Sequence, residues 1–198
     1  GGTQLWTTNV FGFEVGSFDN EISGAQTIPS FTFNGIAYTQ MYVSVNGFIT
    51  FGSAPTGGNY APISSGEAYA RTISAVGCDL HNTTNVIAGA GNRNIRWQTV
   101  GTGAAQEIVI QWRGVRRKSV GSEGFAFQIR LQPSTQQIRI VYGPFNQGPG
   151  ANAIIFPQVG LRGPNNTFAT NVNNVQVGAG AETWALPLAG TTNNNTSR

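Results

Sequence analysis

Apolar and polar residues alternate with a period of two along most of this chain, in short runs separated by clusters of Gly, Pro and Asn. Successive side chains of a strand point to opposite faces, so the pattern predicts half-buried strands; helical periodicity is essentially absent. The clearest stretch is 41–52, MYVSVNGFITFG. There Val43 and Val45 alternate with Ser44, Asn46-Gly47 offers the two positive-φ positions of a type I′ turn, and Phe48, Ile49 and Phe51 resume a pleated apolar run. Strands are predicted over 11–15, 30–33, 42–45, 48–51, 73–79, 94–100, 107–115, 124–131, 137–142, 156–162 and 183–186. The fold class implied is all-β, one antiparallel β-sandwich of jelly-roll-like form.

The segment boundaries come from where alternation fails. Residues 28–189 are read as the sandwich domain, 1–27 as an amino-terminal strand segment and 190–198 as a flexible tail. The LWTTNV run alternates, so the first segment is suited to pair within this sheet or to extend into a neighbour by strand addition. Residues 53–70, rich in Pro, Gly and Ser, read as a long surface connection with one short helical turn near Glu67; long loops are frequent carriers of binding. Further loops are expected over 147–152 and 164–174.

Composition narrows the setting. Hydrophobic residues make up 39% of the 198 residues and charged residues only 10%, so Gly, Asn and Thr supply the solubility, as in many extracellular β-proteins. A net charge of +3 is a thin field for steering a nucleic acid or an acidic membrane. With one cysteine, Cys78, no disulfide forms within the chain, and at this length none is needed for a core. No apolar run approaches the roughly 18 residues of a membrane helix. No charged-then-apolar leader precedes Gly1, as expected of a mature chain.

Catalytic chemistry is poorly supplied. Cys78, Asp79 and His81 stand together in GCDLHN, yet on a single strand Asp79 and His81 share a face while Cys78 points to the other, so the thiol is expected to act as a small buried hydrophobe. No second Cys or His completes a zinc site with Cys78 and His81. Calcium is the one cofactor weighed, leaning on Asp79, backbone carbonyls and Asn side chains, since acids cluster only at Asp19 and Glu21. A glycosidase pair would have to be Glu107 and Glu123 meeting across strands.

A sharper signal is a polar sheet face. Ile95 and Trp97 oppose Arg96 and Gln98; Ile108, Ile110 and Trp112 oppose Gln111 and Arg113. In the next two runs Phe125, Phe127, Ile129 and Leu131 oppose Gln128, Arg130 and Gln132, and Ile138, Ile140 and Tyr142 oppose Gln137 and Arg139. Neighbouring strands would therefore set Arg96, Arg113, Arg130 and Arg139 with Gln111 and Gln128 in a grid that few acids neutralise. Arg and Gln suit sugar hydroxyls, carboxylates or a neighbouring subunit, although any half-exposed sheet alternates in this way. Arg116, Arg117 and Lys118 would extend the grid as a turn-located charge run. The aromatics of these strands face the core and cannot stack on bases, which argues against nucleic acid. Tyr60, Tyr69 and Trp6, in loops or near the terminus, are the candidates for stacking on sugar rings.

Three segments carry a family resemblance: FTFNGIAYTQMYVSVNGFITFG; ISAVGCDL; and EIVIQWRGV followed by GFAFQIRLQPSTQQIRIVYG. Together, over about 28–163, they resemble a domain of bacterial, Bacteroidetes-type surface and secreted proteins that is related to nidogen-like extracellular modules. Relatives tend to end the second segment in Trp-Asp-Asp-Leu; here Gly77 and Cys78 stand where the Trp and first Asp would be. The resemblance implies a non-enzymatic extracellular sandwich used in adhesion or as a spacer; with the residue pattern, the leading reading is a non-catalytic secreted or cell-surface module for adhesion or for building an extracellular assembly or filament. Its partners would be itself or a cell-surface glycan. A carbohydrate-binding module is the alternative, and a glycoside hydrolase the third reading.

Overall fold

The computed structural model describes residues 2–8, 14–15, 19–67, 69, 71–82, 93–118, 123–146, 157–164, 174–176 and 195–197. Its strands are β1 (Thr3–Thr8), β2 (Glu14–Val15), β3 (Gln26–Phe33), β4 (Ile36–Ser44), β5 (Phe48–Thr50), β6 (Thr72–Gly77) and β7 (Leu80–Asn82). Next along the chain come β8 (Asn94–Val100), β9 (Glu107–Arg117), β10 (Gly124–Gln132), β11 (Gln137–Asn146), β12 (Gln158–Arg162), β13 (Asn174–Gln176) and β14 (Asn195–Ser197). They form two antiparallel sheets of one β-sandwich domain. The long sheet runs β14-β11-β10-β9-β8-β1-β2, with β7 also on β9; the short sheet runs β13-β12-β6-β5-β4-β3. The expected strands at 11–13, 156 and 183–186, and the loops at 147–152 and 165–173, lie outside the described residues.

The alternation read from the sequence builds the core. From the long sheet come Ile95, Ile108, Ile110, Trp112, Phe125, Phe127, Ile129 and Leu131; from the short sheet come Phe31, Met41, Val43, Ile49, Phe51, Ile73 and Ala75. Trp112 stacks on Phe127 with centroids 4.9 Å apart, and its indole N–H donates to the Ser44 carbonyl of the facing sheet at 2.9 Å. Burying an aromatic or branched side chain of this kind contributes roughly 1.5–3 kcal/mol, so these inner faces hold the sheets together.

Two Asn-Gly pairs form different turns. Phe33 pairs with Ile36, and Asn34 (φ 50°) and Gly35 (φ 77°) between them make the two-residue type I′ turn. At Asn46-Gly47 the pairing of Ser44 with Phe48 leaves three residues, only Gly47 has positive φ (85°), and its N–H donates to the Ser44 carbonyl at 3.3 Å. The I′ turn expected there is instead a type I turn closed by a left-handed glycine. Its reason is burial: the turn is packed inside the end of the sandwich. The Gly47 carbonyl accepts from the Ala75 and Val76 N–H groups at 3.0 and 3.2 Å. A Cβ on Gly47 would lie 2.6 Å from the Val76 carbonyl oxygen. Gly47→Ala is therefore expected to lower unfolding free energy by about 2 kcal/mol or more in urea titration, from positive φ and backbone collision together.

Asn46 makes that turn a hub. It is fully buried; its side-chain oxygen accepts from the Leu80 N–H at 3.0 Å, and its amide donates to the Gly57 and Asn59 carbonyls at 3.2 and 3.3 Å. The Cys78 N–H donates to the Asn46 carbonyl at 3.4 Å. This anchors a crossover: β6 ends at Gly77, and Leu80 begins β7, which pairs with β9 in the other sheet. The single strand expected over 73–79 is thus shorter, and the chain changes sheets at Cys78-Asp79.

The termini join the long sheet. β1 pairs with β8 on one side and β2 on the other, so β1 is an inner strand of its own domain and β2 ends the sheet's strand order. Asn195–Ser197, within the tail expected to be flexible, pairs with β11.

Candidate functional site

The outer face of the long sheet is built from rows that cross the strands. One row sets Gln4, Arg96, Gln111 and Gln128 side by side on β1, β8, β9 and β10. A second sets Gln98, Val109, Arg130 and Arg139 on β8 to β11, and a third sets Asn94, Arg113 and Ala126 on β8 to β10. Adjacent strands lie about 4.8 Å apart and successive same-face residues about 6.7 Å apart, so these groups share one flat surface. The structure brings together all six Arg and Gln residues expected on this grid.

Part of the face is already wired. The Gln128 amide donates to the Gln111 carbonyl oxygen at 3.0 Å, Gln111 to Asn94 at 3.5 Å, and the Arg130 guanidinium to Gln128 at 3.4 Å. Arg130 also donates through Nε to Glu107 Oε2 at 3.0 Å, and Arg139 pairs with the other oxygen of the same carboxylate. Arg130 and Arg139 are opposite each other across β10 and β11, a like-charge arrangement that Glu107, nearly buried, resolves by bridging both. Few acids are expected on the grid, and among the described residues the first residue of β9 supplies one. By contrast the side chains of Arg96, Gln98 and Gln4 make no hydrogen bond or ion pair among the described residues.

Arg117 does not belong to the surface charge run expected at 116–118. Gly114 (φ 69°) inserts one residue into β9, so Val115 faces Phe125 while Arg113 faces Ala126. The slip turns Arg117 inward, 6% exposed, where its Nε donates to both oxygens of Glu123 at 2.9 and 2.6 Å. Burial pushes the Glu123 carboxyl upward and the guanidinium opposes it. Lys118 follows the strand on the surface, paired to Asp19 at 2.8 Å.

The loop over 53–69 folds back on the outer face of the short sheet rather than lying open. Gln158 accepts from the Ile63 and Ser64 N–H groups at 2.7 and 3.0 Å, and Arg162 donates to the Ser65 and Glu67 carbonyls at 3.0 and 2.7 Å. Tyr69, 3% exposed, stacks on Phe48 at 6.5 Å, lies under the Arg162 guanidinium at 4.4 Å and donates to the Pro62 carbonyl at 2.7 Å. Its ring is committed on both sides, so as a sugar-stacking residue it is corrected to a pin for the loop. Tyr60, 39% exposed, remains at the surface; the Trp6 side chain lies outside what the structure describes.

The other chemistry-bearing residues do not converge. Burial raises the Cys78 thiol far above its ordinary range, with Glu123 adding to the rise, so it stays a thiol. His81 sits in β7, in the long sheet, beyond the sheet change. Glu107 opens β9 and Glu123 is held by Arg117 at its far end, about 33 Å along the strand at 3.3 Å per residue, whereas glycosidase carboxyls stand about 5–10 Å apart. Burial also lifts the Asp79 carboxyl, the Lys118 ammonium pulling it back, and one of its oxygens is buried without a hydrogen bond among the described residues. Among the described residues no group of three or more His, Cys, Asp or Glu is placed to hold a metal ion.

A signal for the Arg117–Glu123 pair and for the Glu107 bridge was present in the residues. An isolated glycine inside a strand marks a bulge, which reverses the facing of the residues beyond it, and Glu107 begins the run whose neighbours are Arg-bearing strands. Among the described residues no helix is long and apolar enough to cross a membrane. A family model described as NIDO related matches residues 3–197. Comparison with curated proteins and with solved structures finds no match.

Proposed function

Since this chain belongs to the NIDO-related family, a nidogen-related domain of the kind that suggests an extracellular module, we propose that it is a non-catalytic secreted or cell-surface module for adhesion or for building an extracellular assembly, with the outer face of the long sheet as its contact surface. The observation that carries this reading is the row Gln4-Arg96-Gln111 and its neighbour Gln98, a flat set of donors of which Arg96, Gln98 and Gln4 are unused within the described fold. A half-buried guanidinium with five donors and no acid paired to it among the described residues is poised for an external acceptor. No cofactor enters this reading.

The family match includes the amino-terminal strand and the carboxyl-terminal one, which supports treating them as parts of the module. A bacterial source is not part of that match.

The test uses Arg96→Glu. Replacing Arg130 or Arg139 would strip Glu107 of a partner and confound folding with binding, whereas Arg96 holds nothing among the described residues. The variant is expected to melt like the parent chain but to lose at least tenfold in association, the scale of one charge-assisted hydrogen bond. Light scattering and electron microscopy read self-assembly, and glycan arrays read surface ligands. Undiminished association in the variant refutes the role of the face.

A further inference from the structure

The contact surface proposed for the long sheet also restricts its partner, and the choice of partner rests on that reading. Protein interfaces take most of their affinity from apolar or aromatic anchors at their centre. Among the described side chains this face offers no central one: Val109 is buried, Ala126 and Val141 are half-buried, and the exposed Val100 stands at its margin, at the end of β8 beside Glu107, while Ile36 and Tyr60 lie on the β3–β4 hairpin and in the 53–69 loop. Neutral sugar rings are held by stacking on aromatics, and the aromatic side chains described on these strands pack inward: Trp112, Phe125, Phe127 and Tyr142 belong to the core, with Trp97 against it. None of these can stack on bases.

What the face does present is charge and hydrogen-bond donors. Four guanidiniums lie on it, Arg96, Arg113, Arg130 and Arg139; Arg130 and Arg139 share the Glu107 carboxylate, and Arg96 has no ion pair among the described residues. Guanidinium matches carboxylate geometry with two parallel N–H bonds, and primary amides both donate to and accept from hydroxyls. The donors stand in a row across strands rather than in a pocket, which suits a ligand that is extended and repetitive. We propose that this face binds a carboxylated polysaccharide, lying flat across β1, β8 and β9, with Arg96 pairing a uronate carboxylate and Gln4, Gln98 and Gln111 bonding ring hydroxyls.

Polygalacturonate is the probe, with its methyl ester as the uncharged counterpart and duplex DNA as a generic polyanion, each measured by affinity electrophoresis on the full chain. The expected result is retention by polygalacturonate that weakens with added salt, disappears on methyl esterification, falls at least tenfold in Arg96→Gln and is unchanged in Lys118→Gln, whose charge lies elsewhere. Gln98→Glu, which places a carboxylate beside Arg96 without touching the core, should weaken binding similarly. Melting curves establish that each variant is folded. Equal retention by DNA, or equal binding by Arg96→Gln and Gln98→Glu, overturns the proposal. If polygalacturonate is not bound while self-association or glycan-array binding still depends on Arg96, the partner class is overturned and the contact surface stands. If nothing depends on Arg96, both fall.

Discussion

Arg117→Leu is expected to lose about 3–5 kcal/mol of stability at neutral pH, the cost of leaving one member of a buried ion pair without its partner. Arg117 and Glu123 are 6% and 0% exposed and are joined through Nε to both carboxylate oxygens. The loss should depend on pH in a definite direction. Burial already raises the Glu123 carboxyl in the folded protein, so its contribution to stability is fully present below the unfolded carboxyl range, about 4.3, and is lost as pH rises through the folded value. Removing the guanidinium raises that folded value further, and the window of loss widens upward. Urea titrations at pH 5 and pH 8 should therefore show the smaller deficit at pH 5. Arg117→Leu combined with Glu123→Leu should recover much of the loss, because no charge then remains buried. An equal deficit at both pH values would mean that the guanidinium contributes packing alone.

Asn46→Ala is expected to cost about 3 kcal/mol or more and to lower Tm by roughly 10 °C. Leu80 N–H would lose its acceptor, and the Gly57 and Asn59 carbonyls a donor, at a fully buried position. The carbonyls belong to the 53–69 loop and the N–H to the start of β7, so the variant should loosen both the loop and the crossover. Hydrogen exchange should then quicken at Leu80, and at Ile63, whose N–H is held by Gln158 in that loop. Asn46→Asp keeps the acceptor for Leu80 but sets a buried carboxylate oxygen against the Gly57 and Asn59 carbonyls, so it should be at least as destabilised as the alanine variant. Thermal melting of the three proteins orders them.

Period-two alternation made β9, β10 and β11 legible, because each has one buried and one half-solvated face and nothing but a strand satisfies that pattern. The same alternation identified the outer Arg and Gln residues, whose row partners follow from antiparallel pairing of consecutive strands. Departures from regular geometry escaped it. A bulge at Gly114 shifts Arg117 from outside to inside. Asn46-Gly47 and Asn34-Gly35 look alike as dipeptides, and only the burial of the former decides which becomes the three-residue turn. The change of sheet at Cys78-Asp79 depends on a side-chain acceptor thirty-four residues earlier, a contact with no local signature. Tyr69 reads as a surface aromatic because loops usually lie open, yet Gln158 and Arg162 of β12 draw this one onto the short sheet.

The candidate surface is thus divided by chemistry that the linear pattern could not separate. Arg130 and Arg139 are spent on Glu107, while Arg96 keeps its donors among the described residues. Arginine-selective labelling with phenylglyoxal, read by mass spectrometry with and without polygalacturonate, tests this division and the contact surface together. Arg96 is predicted to label fastest among Arg96, Arg130, Arg139, Arg117 and Arg162, with the buried Arg117 and Arg162 slowest, and ligand is predicted to protect Arg96 first. An Arg96 that resists labelling in the free protein, or that labels equally fast with ligand bound, would contradict the account.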